Sequence, residues 1–569
     1  PGRFEAGWLD DVLELMHSAG IGVLLATPTA SPPPWFSAAH PDALPVGPDG
    51  VRRWHGSRDT YCMSAPAYRT AARRIARQLA ERYAAHPALV GWHVHNEYGT
   101  PCWCDHAAVA FRGWLQRRYG SLDALNAAWG TAFWSQHYSA WTDVMPPRTT
   151  QYLHNPGQSV DFRRFVSDEL LACFTEQREA IAAAGSLAPV TTNFMLPTWN
   201  HLEQWSWAAQ EDFVSLDHYL DTTGPDGEAH VAYAGDLARS WAGGGPWLLM
   251  EQSTGVSAGG RSTPKPADRI LRNSLSYIAR GSQGALFFQW RASTAGSETW
   301  HGALVPHAGA DSATFRAAEQ LGGVLQRLAD VAEPPAEGRV VEADVAVLWH
   351  ADGWWALENA GLPSRDLTYS EAVRDTHRAL HRLGLAVDFA APGADLGSYR
   401  MVVVPSLHGM DDAAVAALDR YVRAQGGHLV VGCFTGVSDE TMRVVPGGYP
   451  GRLRDLLGVR VEEVLPLAPD EHLPLSDGST AVLWSELVHL DGAETVVEHT
   501  SGPLTGLPAV TRALHRSRGA GRDGEATYLS VRLRGADLEG LLDRAATAAG
   551  VRPVLDVRPP EGVEVVRRR

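Results

Sequence analysis

The sequence predicts an α/β protein built on parallel β-sheet, and three observations carry this prediction. Short apolar runs recur along the first 335 residues. Stretches with helical periodicity, such as 67–85, 161–184 and 268–280, separate them. The runs are continuously apolar, as in strands buried on both faces of a sheet. They are GIGVLLATPT (20–29), PALVGWHVHNE (87–97), APVTTNF (188–194), DFVSLDHY (212–219), PWLLMEQ (246–252) and GALFFQWRA (284–292).

The number of apolar runs leaves two architectures open for residues 1–335. A doubly wound sheet could use the six predicted strands. An eight-stranded barrel would need two more strands, which would precede Pro1. In that barrel Glu97 ends strand four and Glu251 ends strand seven. Both glutamates then lie at the face where barrel enzymes carry their catalytic groups.

A second α/β unit is predicted after the Pro/Glu-rich linker DVAEPPAEGRV (330–340). Its strand-like runs are ADVAVLW, AVDFA, YRMVVVPS and GGHLVVGC, with helical patterns near 367–384 and 411–425. This alternation is typical of a flavodoxin-like domain, which we assign to 341–555. The remaining residues, 556–569, read as the first strand of a further domain that stops early.

Composition excludes several classes of protein. The formal net charge of −16 argues against a nucleic-acid partner. No apolar run reaches the length of a membrane span. Five cysteines make no disulfide framework, and we expect a cytoplasmic location. Since the chain opens at Pro1 inside an amphipathic pattern, a targeting segment could precede it.

The two strand-end glutamates suggest glycoside hydrolysis, which needs two carboxyl groups facing the anomeric carbon. Strands four and seven of a barrel face each other across its mouth. That geometry would hold the carboxyls about 5–5.5 Å apart, the separation found in retaining enzymes. Asn96 precedes Glu97, and its amide could hold a sugar 2-hydroxyl. A lone strand-end glutamate is more often a salt-bridge partner or helix cap, but two in register favour a glycosidase.

Several ordered motifs resemble glycoside hydrolase family 42, the β-galactosidases. They are LATPTASPPPW (25–35), SRDTYC (57–62), NEYG (96–99), TTNFM (191–195), SLDHY (215–219), PWLLMEQ (246–252) and FFQWRAS…GSETWH (287–301). The resemblance implies a (β/α)₈ TIM barrel, a flavodoxin-like (class I amidotransferase-like) trimerisation domain and a small C-terminal β-domain. It therefore implies that this chain lacks the first two barrel strands and most of the last domain, and that it forms a homotrimer.

The resemblance also implies roles for individual residues. Glu97 matches the family's acid/base and Glu251 its nucleophile. Glu97 would protonate the leaving oxygen while Glu251 attacks, and would then activate water against the galactosyl-enzyme; catalysis needs no cofactor. Two neighbouring carboxyls raise the pKa of one of them, which separates the two roles.

Four further residues match the family's substrate-binding positions: Arg58, Asn96, Glu298 and His301. Together they offer hydrogen-bond donors and acceptors to the hydroxyls of a galactose ring. The Glu-x-x-His spacing of Glu298 and His301 also occurs in metal motifs, so a metal-ligand pair is the rival interpretation.

The sequence departs from the family at two places. Gly259 stands where the family carries a substrate-stacking Trp, so Trp290 or Trp300 could serve instead. Many members hold a structural zinc with four cysteines. Three are matched here, by Cys62, Cys102 and Cys104, but the fourth position is Ala107, with Asp105 or His106 as the available substitutes.

Several alternatives stay open. An α-L-arabinopyranosidase or a β-D-fucosidase would share the mechanism, since those sugars differ from galactose only at C5. A lyase or aldolase would need a strand-end lysine, and the single lysine, Lys265, lies in a Pro-flanked loop. Cys433 follows a strand as amidotransferase nucleophiles do, but lacks their G-x-C-x-G spacing and reads as a core thiol. An inactive sugar-binding or assembly fragment is the non-enzyme alternative.

Overall fold

A computed structural model describes residues 4–196, 200–220, 222, 226–258, 261–332, 338–516, 522–555, 560 and 563–568. Spatial contacts divide the chain into two compact units, Pro1–Asp217 and His218–Arg569. Both units alternate helices with short strands, which confirms the predicted α/β class. The predicted domain limits at 335 and 555 stay predictions, and much of 556–569 lies outside the described residues.

The first unit opens with a helix and continues with strands that helices separate. Its helices are α1 (Gly7–Ser18), α2 (Pro34–Ala39), α3 (Pro66–Tyr83), α4 (Asp105–Tyr119), α5 (Leu122–Trp129), α6 (Pro156–Ala183) and α7 (Gln204–Ala208). Its strands are β1 (Val23–Ala26), β2 (Leu89–His93), β3 (Val190–Thr191), β4 (Asn193–Leu196) and β5 (Ser215–His218).

The strands of the first unit lie inside the predicted apolar runs, except that β4 extends two residues beyond its run. Strands β1, β2 and β3 are neighbours in that order and pair in parallel, and β4 lies beside β5. One predicted run, 188–194, supplies both β3 and the start of β4. The parallel arrangement brings the C-terminal ends of β1, β2 and β3 to one edge, where the polar residues that follow each strand collect.

Helices α3 and α6 form the main helical layer of the first unit. Pro66 begins α3 at a position where proline is favoured, and the Asn155 side chain caps α6 by accepting from the Gln158 N–H at 3.2 Å. The two helices pack together, and Arg69 of α3 donates to Glu169 and Glu176 of α6 at 2.6 and 2.7 Å.

The second unit contains the remaining elements. Its helices are α8 (Gly227–Trp241), α9 (Ala267–Ala279), α10 (Ala313–Arg327), α11 (Ala329–Ala332), α12 (Ala351–Leu357), α13 (Tyr369–Arg382), α14 (Asp412–Arg423), α15 (Arg454–Leu457) and α16 (Gly535–Ala548). Its strands are β6 (Trp247–Glu251), β7 (Gly255–Ala258), β8 (Arg261–Pro264), β9 (Ser282–Ala285), β10 (Val345–Leu348), β11 (Val387–Ala390), β12 (Met401–Val404), β13 (His428–Val431), β14 (Val459–Pro466), β15 (His472–Pro474), β16 (Thr480–Val482), β17 (Trp484–Leu490), β18 (Glu494–Glu498), β19 (Pro508–His515) and β20 (Gly524–Leu529).

The segment after β6 differs from its prediction in two ways. Strand β9 pairs in parallel with β6 but ends at Ala285, so most of the run 284–292 lies beyond it. Beyond β9 the backbone N–H groups of Leu286 and Phe288 still donate to the carbonyls of Leu249 and Gln252, each at 3.1 Å. The next residue turns away from them, because Gln289 N–H donates to the Gly302 carbonyl at 3.3 Å. In addition, β7 and β8 form an antiparallel hairpin that period-based reasoning did not predict.

The second unit contains a seven-stranded sheet with the strand order β11–β10–β12–β13–β20–β19–β18. The first five strands pair in parallel, and β19 and β18 extend the sheet in antiparallel fashion. Strands β10 to β12 are fully buried, as their apolar runs predicted. The predicted helices at 367–384 and 411–425 are α13 and α14.

A buried ion cluster joins α8 to this sheet within the second unit. The Arg239 guanidinium, 1% exposed, donates to Asp388 Oδ1 at 2.9 Å and to Asp236 Oδ1 at 2.5 Å. His377 Nε2 lies 2.9 Å from the second oxygen of Asp236. Although burial alone would raise it, the charges of Arg239 and Arg280 hold the pKa of Asp236 below its ordinary range. Removing one partner would leave a buried charge unpaired.

Candidate active site

Glu97 lies where the chain leaves the C-terminal end of β2. Glu97 is buried, with only 3% of its surface exposed. Both His95 and Glu97 have left-handed backbones, with φ of 68° and 48°. A non-glycine residue in that region costs about 1–2 kcal/mol, so neighbouring contacts must hold this turn. The turn therefore follows the end of β2 and closes the predicted run 87–97.

His95, two residues before Glu97, is held by two hydrogen-bond partners and one ring contact. Its Nδ1 lies 3.0 Å from Thr29 Oγ1, and its Nε2 lies 3.0 Å from the Tyr61 hydroxyl. Its ring stacks on Tyr98 with centroids 3.9 Å apart. Burial lowers the pKa of His95 well below its ordinary value. The imidazole is therefore neutral and places no charge among Thr29, Tyr61 and Tyr98.

Arg58 and Asp59 lie at the carboxylate of Glu97. The Arg58 guanidinium, 44% exposed, donates to Glu97 Oε2. Its Nε also lies 3.7 Å from Asp59 Oδ2. Burial raises the pKa of Asp59 to about 6 against the opposing effect of Arg58. The predicted substrate-binding arginine thus contacts the predicted acid/base directly, while enough of it stays exposed to meet a ligand.

Asn96 is partly exposed beside Glu97. Its Nδ2 lies 3.4 Å from Glu97 Oε2, and its Oδ1 accepts from Asn193 Nδ2 at 3.0 Å. Asp217, at the end of β5, is buried and has a carboxylate oxygen within 4.8 Å of one of Glu97. The first unit therefore gathers two carboxylates, two amides and a guanidinium at the ends of its strands.

Glu251 is the last residue of β6 in the second unit. The Tyr219 hydroxyl donates to Glu251 Oε2 at 2.6 Å. The Tyr219 ring also meets the His301 ring edge-on, with centroids 5.5 Å apart, and His301 packs in the same way on Phe288 at 4.9 Å. The predicted nucleophile and one predicted galactose-binding residue are thus linked through one tyrosine.

Glu298 lies in the same loop as His301, and the backbone binds the two together because His301 N–H donates to the Glu298 carbonyl at 3.0 Å. The Glu298 side chain is exposed. Trp290 and Trp300, the predicted stacking candidates, are 65% and 84% exposed. Gly259 lies outside the described residues. Such exposed indole rings offer faces on which a sugar can stack.

Cys62, Cys102 and Cys104 form a buried thiol cluster in the first unit. Their sulfurs lie within 4.8 Å of one another, and Cys62 Sγ is 3.3 Å from Cys104 Sγ. Hydrogen bonds from the other two thiols and from the N-terminus of α4 lower the pKa of Cys104. Three thiolates around one zinc ion lie about 3.8 Å apart, so the cluster can supply three ligands of a tetrahedron.

The proposed substitutes for the fourth cysteine face other partners. The Asp105 side chain is 95% exposed and pairs with Arg148 at 3.1 Å, and His106 Nε2 lies 2.9 Å from Asp42 Oδ2. Ala107 is fully buried and offers no ligand atom. Among the described residues, the three thiols alone offer ligand atoms at this cluster, and they fit three positions of a tetrahedral metal site.

Lys265 is buried, and its Nζ donates to the Ser253 carbonyl at 2.6 Å. Burial lowers its pKa to about 8. The amine therefore holds the backbone two residues beyond Glu251, a structural contact that argues against use as a Schiff-base nucleophile.

Cys433 is 1% exposed, in agreement with its prediction as a core thiol, and burial raises its pKa. Near it lies a buried carboxyl that sequence reasoning missed. Glu486 accepts from the Tyr528 hydroxyl at 2.5 Å, from Trp484 Nε1 at 2.9 Å and from the Phe434 N–H at 3.0 Å. Burial raises the pKa of Glu486 to about 7. Its hydrogen bonds join β17, β20 and the end of β13.

Sequence reasoning also missed Asn193, Asp217 and Tyr219 as site residues. Each lies at or near the end of a predicted apolar run, which is the signal that singled out Glu97 and Glu251. Applied to every polar residue at a strand end, the same rule would have found all three.

Comparison with known proteins assigns this chain. A family model for glycoside hydrolase 42, described as β-galactosidase, matches residues 1–328, and one described as β-galactosidase trimerisation domain matches residues 343–552. A β-galactosidase of Arthrobacter sp is 43% identical over 573 residues, covering 100% of this chain and 80% of the relative. A β-galactosidase of Geobacillus sp. (strain Y412MC61) is 38% identical over 575 residues, covering 100% and 83%.

A solved β-galactosidase structure is similar to this chain in both fold and sequence. The cold-adapted β-galactosidase from Rahnella sp. R3 matches with a TM-score of 0.94 at 34% identity, covering 100% of this chain and 84% of that one. The protein is therefore a glycoside hydrolase. It belongs to glycoside hydrolase family 42, the β-galactosidases. Within the described ranges, no helix has the length and apolar character needed to cross a membrane.

Proposed function

We propose that this protein is a retaining β-galactosidase that removes terminal, non-reducing β-D-galactose with Glu251 as nucleophile and Glu97 as acid/base. One observation carries the proposal. Within the segment that matches the β-galactosidase model, Glu251 ends one strand and Glu97 closely follows another, and each contacts side chains suited to its role.

In the first step, ionised Glu251 attacks the anomeric carbon, while Glu97 gives its proton to the leaving oxygen. The Tyr219 hydroxyl on Glu251 Oε2 fixes which carboxylate oxygen attacks. The bond from carbon to the leaving oxygen breaks as the bond to Glu251 forms. The product of this step is a galactosyl-enzyme and a free alcohol.

In the second step, Glu97 acts as a base and takes a proton from water, which attacks the same carbon and releases galactose with retained configuration. Arg58 and Asn96 both contact Glu97 Oε2, so they orient one carboxylate oxygen. Asn96 also offers an amide to the sugar 2-hydroxyl, a contact that strengthens in the transition state. Glu298 and His301 would bind the other galactose hydroxyls.

The architecture that we propose is a (β/α)₈ barrel followed by a flavodoxin-like domain that forms a homotrimer. The order β11–β10–β12–β13–β20 supports the second assignment, because flavodoxin-like sheets follow the order 2-1-3-4-5. The match to a trimerisation-domain model supports the oligomer. We also propose a cytoplasmic location, which the five free thiols support.

We further propose that Cys62, Cys102 and Cys104 hold a structural zinc ion with solvent as fourth ligand. The cluster joins the segment between α2 and α3, which carries Cys62, to the loop between β2 and α4, which carries Cys102 and Cys104. A metal there would stabilise the turn that carries Glu97 without taking part in the reaction.

Removal of this zinc is expected to lower thermal stability. Purified protein should contain about one zinc per chain by elemental analysis, and Cys102→Ala should lose it. Chelation should lower the Tm of the wild type but leave that of Cys102→Ala unchanged. Cys173→Ala, which removes a buried thiol outside the cluster, is the matched control and should keep the metal. Metal-free wild type would refute the site.

A panel of three nitrophenyl glycosides tests the proposed function. The β-D-galactoside is expected to have the highest kcat/KM, ahead of the α-L-arabinopyranoside and the β-D-fucoside, because only it has the full galactose substitution at C5. Proton NMR of the first product should show β-galactose before mutarotation. A preference for either rival sugar would reassign the substrate, and α-product would exclude retention.

A further inference from the structure

The Asn193 side chain makes four hydrogen bonds beside the proposed acid/base. It is 1% exposed at the first position of β4. Its Oδ1 accepts from the Glu97 N–H at 2.7 Å and from His93 Nε2 at 2.9 Å. Its Nδ2 donates to Asn96 Oδ1 at 3.0 Å and to Asp217 Oδ2.

These bonds use the full capacity of the amide, which has two acceptor lone pairs and two donor hydrogens. They also fix its orientation, because a flipped amide would point NH₂ at the Glu97 N–H and oxygen at the Asp217 carboxylate. Burial lowers the pKa of His93, and because Asn193 Oδ1 can only accept, the His93 Nε2 that faces it must carry the proton. Asn193 is therefore held in one position by groups from two other strands.

The bond to the Glu97 N–H supports a strained turn. Glu97 has φ of 48° and His95 has φ of 68°. Left-handed backbones of this kind persist only where surrounding contacts determine them. Asn193 supplies one such contact to Glu97 itself and another to the side chain of Asn96. Both groups therefore take their position from the same amide.

We propose that Asn193 is a positioning residue for the reaction, which sets the Asn96 amide and the Glu97 carboxyl as one unit and is itself anchored by Asp217. This inference rests on the proposed function. Asn193 touches no reacting atom, and its effect passes through the two residues that it holds. It acts on proton donation through Glu97 and on the sugar 2-hydroxyl through Asn96.

The test is Asn193→Asp with and without Asp217→Asn. Asn193→Asp loses both donors and faces the Asp217 carboxylate, so the group is displaced. We expect kcat/KM for lactose to fall about 100-fold, the cost of a misplacement of about 1 Å. A 2,4-dinitrophenyl galactoside should lose much less, because its leaving group departs without a proton from Glu97.

The double variant separates positioning from stability. The amide introduced at position 217 can donate to the carboxylate introduced at position 193, which again accepts from the Glu97 N–H. Tm and the wild-type dependence on the leaving group should therefore return. Only the donor to Asn96 stays lost, which should leave a uniform loss of about tenfold on both substrates, a typical cost of lost supporting contacts. The Asp217→Asn single variant completes the cycle.

Two results would overturn the inference while leaving the proposed function intact. Wild-type rates in Asn193→Asp would show that the amide positions nothing. Equal losses on lactose and on the dinitrophenyl galactoside would show that Asn193 does not act through proton donation by Glu97, which contradicts the inference that it sets Asn96 and Glu97 as one unit. A wild-type protein that hydrolyses neither galactoside would instead refute the proposed function, and the inference with it.

Discussion

Replacing Glu251 with alanine is expected to lower kcat on nitrophenyl β-D-galactoside by roughly 10⁴–10⁶-fold, the range seen when a covalent nucleophile is removed. The galactosyl-enzyme cannot form without that carboxylate, and water is too poorly placed to replace it. The Tyr219 hydroxyl, which donates to Glu251 Oε2 at 2.6 Å, loses its acceptor in this variant. Steady-state kinetics at matched protein concentration measures the loss.

Azide distinguishes a missing nucleophile from a damaged fold. In the space left by Glu251→Ala, azide should attack the anomeric carbon once and give α-galactosyl azide, with inverted configuration. Glu319→Ala, on the exposed side of α10, is the matched control and should keep wild-type kcat and Tm. Near-normal activity in Glu251→Ala would mean that Glu251 is structural and that the predicted register of β6 is misassigned.

Replacing Glu97 with alanine is expected to cost about 10²–10⁴-fold, the range of general acid–base catalysis, and the cost should depend on the leaving group. Lactose should lose most, because its sugar leaving group requires a proton. A dinitrophenyl galactoside should form the galactosyl-enzyme readily and then stall, since no base activates water. A pre-steady-state burst of dinitrophenolate followed by slow turnover would show this.

Azide gives the opposite stereochemistry in this variant. It should intercept the galactosyl-enzyme, restore turnover and yield β-galactosyl azide, with retained configuration. Glu81→Ala removes an exposed carboxylate that pairs with Arg77 on α3, and it should leave activity unchanged because surface pairs contribute little. If Glu97→Ala produced α-azide, the two glutamates would have exchanged roles.

Residue order alone was enough to predict the α/β class and the strand runs, and it singled out Glu97 and Glu251 as candidate catalytic residues. Continuous apolar runs separated by helical patterns are a local signal, because each is recognised within a short window of sequence. Such signals can therefore be read without knowing the fold. Glu97 and Glu251 could be predicted because barrel enzymes carry catalytic groups at the C-terminal ends of their strands, so the position of each glutamate along its run was enough. The family motifs around them are likewise contiguous.

The side chains that contact those two glutamates could be identified only in the folded protein. Asn193 contacts Glu97 across nearly a hundred positions of sequence, and Tyr219 meets Glu251 from a neighbouring run. The left-handed turn at His95 and Glu97 is equally invisible in the sequence, since positive φ is uncommon for any residue with a side chain, even for the histidine that adopts it more often than most. Such features depend on contacts between distant segments, which residue order alone does not specify. The sequence therefore supplied the reactive groups, and the packing of separate strands supplied the partners that orient them.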